Sequence, residues 1–209
     1  SERCLCHSSR VLVSSHFPIL GDGMRIVVDI NHPAHVHYFK NFIRIMKEHG
    51  HEVMVTASTK QIIIDLLDLY KIPYIGVGQY GGTIAQKGIS LPLMDIRYLK
   101  KIHIFEPDIL IGFGSIRAAH SCFILKKPCI NFEDTEHSVE QIVLYKPFVT
   151  AICTPACFTR ELGPKQIRFN GYMELASLHP NYFTPNPAVL GELGLTEDDR
   201  FIIVRFVSW

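Results

Sequence analysis

Seven short β-rich runs, most of them separated by helix-period segments, constrain this chain more than any single motif. MRIVVDI (24–30) is apolar over almost its whole length, the pattern of a strand buried on both faces in a parallel sheet. Val36, Phe39, Phe42, Ile43 and Met46 come next at three- and four-residue spacing, with Lys40, Arg44 and Lys47 between them. That spacing predicts an amphipathic helix, stopped by Gly50. Further strands are expected at 51–57, 74–78, 108–114, 129–134, 148–153 and 166–171, and further helices over 62–70, 91–105, 117–125 and 138–145. Ser58 and Gln61 have capping-box spacing ahead of the second helix. QYGGTIAQKGIS (79–90) is glycine-rich and aperiodic, which predicts a long binding loop. The alternation as a whole implies an α/β fold, a doubly wound parallel sheet with right-handed crossovers.

Composition narrows the function classes. The 209 residues are 47% hydrophobic with a formal net charge of +1, so no basic footprint marks a nucleic-acid partner. No apolar run approaches the length of a membrane span. The six cysteines are too sparse for a disulfide scaffold, and Cys153 and Cys157 alone do not make a zinc site, so a cytoplasmic protein without metal or cofactor is expected. Residues 1–23 lack the strand and helix periodicity of the rest of the chain and read as an upstream extension before a domain over 24–171. Residues 172–199, with Pro180, Pro185 and Pro187, read as a linker. RFIIVRFVSW (200–209) reads as the first strand of a second domain cut short.

In open α/β sheets ligands sit at the carboxyl ends of strands, beside helix N-termini. Three stretches fall there: DINHPAHVHYF (29–39), GFGSIR (112–117) and FEDTEHS (132–138). Gly112 and Gly114 would let backbone approach a ligand, yet the third glycine of a dinucleotide fingerprint is replaced by Arg117. Asp134, twenty residues after Gly114, stands where a ribose-binding acid would. Asp134 or Thr135 could equally cap the next helix. His35 and His37, two apart at a helix start, point in different directions, which disfavours a metal. Each of His32, His35 and His37 is left between a capping or packing role and a base or phosphate–sugar contact.

HVHYFKNFIRIMKEHGHEV resembles the first loop and helix of GT-B glycosyltransferases, and counting back from Gly50 places His35 at the family's loop histidine. PDILIGFGSIRAAHSCFILKKPCINFED (107–134) is similar to the corresponding succession in the peptidoglycan N-acetylglucosaminyltransferase, with Glu133 at its glutamate position. More closely, His32–His37, Phe132–His137, Phe169–Pro180 and Phe206–Trp209 resemble the motifs of an archaeal and bacterial family of predicted glycosyltransferases. The resemblance implies a Rossmann-like N-terminal domain of a GT-B fold that moves a sugar from a nucleotide-sugar donor to an acceptor hydroxyl, lipid-linked or on a glycan. It implies His35 as general base, oriented by Asp134 or Glu133. His37, Gly112, Gly114, Ser115, Glu136 and His137 would contact substrate. The donor would bind mainly in the second domain, so this piece alone would be inactive. Departures are Tyr38 for Pro, Ser115 for the second glycine and Phe132 for His. A nucleotide-sugar 2-epimerase on the same scaffold, or a non-catalytic sugar- or nucleotide-binding protein, are the alternatives.

Overall fold

The computed structural model describes residues 23–78 and 84–204. Their elements run β1 (Arg25–Ile30), α1 (Pro33–Glu48), β2 (Glu52–Ala57), α2 (Gln61–Leu69), β3 (Ile75–Gly76), α3 (Ile84–His103) and β4 (Ile109–Phe113). Then come α4 (Ile116–Leu125), β5 (Cys129–Phe132), α5 (Val139–Tyr145), β6 (Ala151–Pro155), β7 (Gln166–Phe169), α6 (Leu175–Leu178) and α7 (Ala188–Glu192). All strand pairings are parallel, in the order β3-β2-β1-β4-β5-β6-β7. The order reverses between β1 and β4, where Asp29 pairs with Gly112. That reversal opens a crevice at the carboxyl ends of the two strands.

Period-two alternation sends the residues of β1 into two different cores. Ile26, Val28 and Ile30 pack with Val36, Phe39 and Ile43 of α1 and Ile63 and Leu67 of α2. Val27 packs on the other face with Tyr98, Leu110, Ala118, Cys122 and Ile142. Burying each such side chain contributes about 1.5–3 kcal/mol. Helix α1 starts with Pro33 after the N-cap His32, whose ring Nδ1 accepts the Ala34 N–H at 3.3 Å. It ends in a Schellman motif. The His51 N–H donates to the Met46 carbonyl and the Gly50 N–H to the Lys47 carbonyl, with Gly50 at φ +83°.

Several local expectations are corrected. Ser58 does not cap α2: it is buried, and Lys60 holds the cap position without a side-chain cap hydrogen bond. Helix α3 starts at Ile84 and takes in Gly88 and Pro92, so the predicted loop is helical from 84 to 90; residues 79–83 lie outside the described residues. Met94, Tyr98 and Ile102, four apart and buried, anchor that helix strongly enough to override two breakers. Neither Asp134 nor Thr135 caps α5, which follows Ser138. Residues 201–204 form no regular element, and Ile202 is 89% exposed; the rest of the strand expected over 200–209 lies outside the described residues. Within the span read as a linker, Met173 is buried in the α1 core and the Asn41 amide donates to the Ala176 carbonyl at 2.8 Å. Residues 1–22 and 205–209 also lie outside the described residues.

The α3–α4 face holds a charge pair with almost no solvent. Arg117 is 1% exposed and Asp29 0%. The guanidinium donates from Nε to both oxygens of Asp29 at 3.0 Å, and its Nη2 lies 2.9 Å from Asp29 Oδ1 as an ion pair. Thr56 and Ser115 donate their hydroxyls to the same carboxylate at 2.7 and 2.6 Å. Removing one partner of a buried pair strands the other charge. Arg117→Met should therefore lower the unfolding free energy by about 3–5 kcal/mol, and adding Asp29→Asn should restore most of that loss. Urea unfolding of both variants checks this; a double variant no more stable than the single one would refute it.

Candidate functional site

The crevice between β1 and β4 is bordered by the N-termini of α1 and α4 and by the loop after β5. His35 occupies the first turn of α1 and is 6% exposed. Its ring lies 4.7 Å from Phe113 and 6.3 Å from Tyr38, and Tyr38 and Phe113 are 5.5 Å apart, between ring centroids. The Nδ1 atom is buried and has no hydrogen-bond partner among the described residues. Burial, then the charges of His32, Lys60 and Arg117, push its pKa down to about 3. His35 is therefore a neutral imidazole of low basicity. No carboxylate orients it through Nδ1, so the expected pairing with Glu133 or Asp134 is not made in this structure.

The two acids after β5 part company. Glu133 is 2% exposed; its Oε1 accepts the N–H groups of Asp134 and Thr135 at 3.2 and 3.0 Å, and its Oε2 accepts the Tyr145 hydroxyl at 3.0 Å. Both oxygens are thus occupied in shaping the loop. Asp134 is half-buried and accepts the Thr135 hydroxyl at Oδ1, 2.9 Å. Burial pushes its pKa up, and Glu174 nearby adds to the shift. Of the two, Asp134 is the carboxylate that can meet a ligand.

The remaining expected residues spread out. Ser115, read as a wall of the cleft, is fully buried; it caps α4 by accepting the Ala118 N–H at 3.2 Å and donates to Asp29. Gly112 is required by packing, since a Cβ there would stand 2.7 Å from Ser115 Cβ and 2.9 Å from Asn131 Oδ1. Gly114 adopts φ +52°, and a Cβ would meet the Gln141 amide at 2.5 Å. His37 turns away from His35 and bonds the Tyr70 hydroxyl at 3.2 Å, in the seam between α1 and α2. Glu136 accepts the Thr159 N–H and hydroxyl at 2.7 and 2.6 Å, tying this loop to the one after β6. His137 is exposed beside it.

Sequence reasoning missed Asp29, Arg117, Tyr38, Lys60 and Glu174. Two of these carry a legible signal: Asp29 is the one acid in an apolar strand, and Arg117 takes the place of a fingerprint glycine. Among the described residues no group of three or more His, Cys, Asp and Glu side chains is placed to hold a metal ion, and no helix is long and apolar enough to cross a membrane. Surface depressions lined by Val143, Pro147 and Leu162, and by Arg25, Pro107 and Lys127, lie away from the crevice at the edge where strands begin.

A seven-stranded parallel sheet with its crevice at the β1/β4 reversal is a Rossmann-like α/β fold, similar in architecture to solved glycosyltransferase-like structures. The chain belongs to the family described as protein of unknown function DUF354, whose model matches residues 24–208. A relative, uncharacterized protein MJ0665 of Methanocaldococcus jannaschii, is 26% identical over 191 residues, 88% of this chain and 56% of that protein. The chain thus spans little more than half of that relative's length. Among solved structures, the Staphylococcus aureus MnaA–UDP complex superposes with a TM-score of 0.59 at 10% identity, covering 82% of this chain and 51% of the other. Acinetobacter baumannii MurG superposes with a TM-score of 0.54 at 12% identity, covering 69% and 45%.

The environment of Glu133 sets a pH dependence. Burial, outweighing its three hydrogen bonds, pushes its pKa up from 4.5 to about 7. A carboxyl that binds its proton more tightly when folded supports the fold most below pH 4.5 and loses that support as pH rises through about 7. Glu133→Gln should remove this slope between those values, a difference on the order of 3 kcal/mol at most. Chemical denaturation of both proteins from pH 4 to 8 measures it; parallel curves would count against the assignment.

Proposed function

We propose that this chain forms the acceptor side of an enzyme that transfers a sugar from a nucleotide-sugar donor to an acceptor hydroxyl. One observation carries the reading: the crevice is electrically divided. On one flank lie the N-terminus of α1 and the Lys60 ammonium, whose charge adds to burial in lowering the basicity of His35. On the other stands Asp134, with one oxygen unengaged by its neighbour Thr135 and its basicity raised. A diphosphate suits the first flank, through charge and the positive end of the α1 dipole. A hydroxyl about to lose its proton suits the second. The UDP seen with S. aureus MnaA, on a similar fold, accords with a nucleotide-sugar as donor.

In this scheme the acceptor hydroxyl gives its proton to Asp134, and its oxygen bonds the donor's anomeric carbon. The bond from that carbon to the diphosphate breaks, and the nucleotide leaves with the electron pair. His35, neutral and weakly basic, is assigned hydrogen bonding to substrate rather than proton abstraction. The nucleotide itself would be held largely by a second domain.

In the full-length protein, supplied with UDP-sugars and a glycolipid-and-glycan extract, Asp134→Asn should cut nucleotide release by about 10²–10⁴, the worth of a general base. His35→Ala should act mainly on KM. Unchanged turnover in Asp134→Asn would sink the assignment. Conversion of the sugar to its 2-epimer without acceptor would replace transfer by the epimerase reading.

A further inference from the structure

The segment after β7 brings to the crevice a residue that no spacing in the sequence marks. Asn41, one turn beyond Tyr38 on α1, holds the Ala176 carbonyl, and Met173 is buried against the same core as Phe113. These two attachments lay α6 along the Tyr38 side of α1. Glu174, between them, stands exposed at the start of α6. Asp134 approaches from the loop after β5. The Glu174 charge is felt at Asp134, and burial, with the charges of Asp134 and Glu174, pushes the Tyr38 hydroxyl up to about 12. Tyr38 therefore stays a hydrogen-bond donor.

The rest of the group is aromatic. His35, Tyr38 and Phe113 form a closed triad, with the His35 and Tyr38 rings inclined by 23°. Phe113 and His35 are buried while Tyr38 is only partly so, which leaves Tyr38 as the face open to a ligand. The buried Nδ1 of His35 lacks a partner within that triad, a second polar vacancy in the same place. No hydrogen bond engages the Tyr38 hydroxyl or the Glu174 carboxylate among the described residues.

Three ligand chemistries can be weighed against this arrangement. A phosphate offers only acceptors and would be repelled by both carboxylates. An ammonium offers only donors and would leave the phenol's proton unmatched. A hydroxyl both donates and accepts, so two neighbouring hydroxyls can each give a proton to a carboxylate while one receives the Tyr38 proton. We propose that Tyr38, Asp134 and Glu174 form a recognition site for vicinal hydroxyls of a sugar ring on the acceptor, with the Tyr38 ring as its stacking face. The site deepens the transferase reading, since the hydroxyl held at Asp134 is the one that would be glycosylated. Tyr38 and Glu174 become specificity-determining residues. The acceptor is then a glycan end, and not a bare phosphate headgroup.

Binding can be tested without donor or turnover. The probes are methyl pyranosides of glucose, galactose, mannose and N-acetylglucosamine, with glucose 1-phosphate and spermidine as anionic and cationic counterparts, all read by saturation-transfer NMR. At least one neutral pyranoside should bind in the millimolar range, with signal on its ring C–H protons. Glu174→Gln, Asp134→Asn and Tyr38→Phe should each weaken it about tenfold or more, as should removal of one of the paired hydroxyls from the sugar. Glu140→Gln, on the exposed start of α5, should leave it unchanged. Thermal unfolding within a few degrees of the parent identifies variants that keep the fold, and Tyr38→Phe retains the ring stack. Absence of any pyranoside binding overturns the proposal. So does binding indifferent to the Glu174→Gln/Asp134→Asn pair, or tighter binding of the phosphate or the polyamine. Pyranoside binding without sugar transfer would defeat the transferase reading alone; transfer without pyranoside binding would defeat this one alone.

Discussion

The ion pair between Asp29 and Arg117 is the constraint around which the crevice is arranged. It joins β1 to the first turn of α4, and the same guanidinium reaches the Ile30 carbonyl at 3.4 Å and the Ser58 hydroxyl at 3.2 Å. One side chain therefore fixes the carboxyl ends of β1 and β2 relative to α4. Asn131 closes the group from β5, donating to the Ser115 carbonyl at 3.2 Å. A buried pair of this kind is weak evidence for net stability, because apolar replacements of equal volume often do as well. Its value lies in geometry: polar partners tolerate one arrangement, whereas an apolar contact tolerates many.

That geometry has an electrostatic consequence. The charge of Arg117 is one of those that depress the basicity of His35, along with His32 and Lys60. Since His35 is almost wholly buried, the cheapest way for it to remain is uncharged. The histidine and the carboxylates of the crevice are thus set to different tasks by their surroundings and not by their intrinsic chemistry. His35 belongs to the cationic flank and is silenced as a base. Asp134 belongs to the acidic flank, and burial, with the charge of Glu174, makes it a better base than a free aspartate.

Much of the fold was legible because its signals are periodic. The seven β-rich runs and the α1 pattern rest on apolar spacing, which burial enforces directly. Gly50 as a helix stop rests on equally local backbone chemistry. Where one local rule stood alone it failed. Ser58 has the spacing of a cap, but Arg117, fifty-nine residues away, claims its hydroxyl. Gly88 and Pro92 argue for a loop, but buried Met94, Tyr98 and Ile102 hold a helix there. The candidate site was legible in the same measure. Position in the β-to-α loops pointed to His35, Asp134 and Glu133, while their roles depend on burial and on partners distant in sequence. His37 shows the limit: two residues from His35, it faces another helix.

Arg117 illustrates why a broken motif can be more informative than a matched one. In a dinucleotide fingerprint the third glycine exists so that helix and strand can pack closely. Here a guanidinium stands in the first turn of that helix, and it needs a buried anion, which Asp29 supplies near the end of β1. The substitution and the misplaced charge are therefore one feature, seen at two places eighty-eight residues apart. With the space beneath the α4 N-terminus filled and Ser115 turned inward to Asp29, that turn is committed to structure. The α1 side and the loop after β5 are not filled in this way, and the proposed ligand chemistry falls to them.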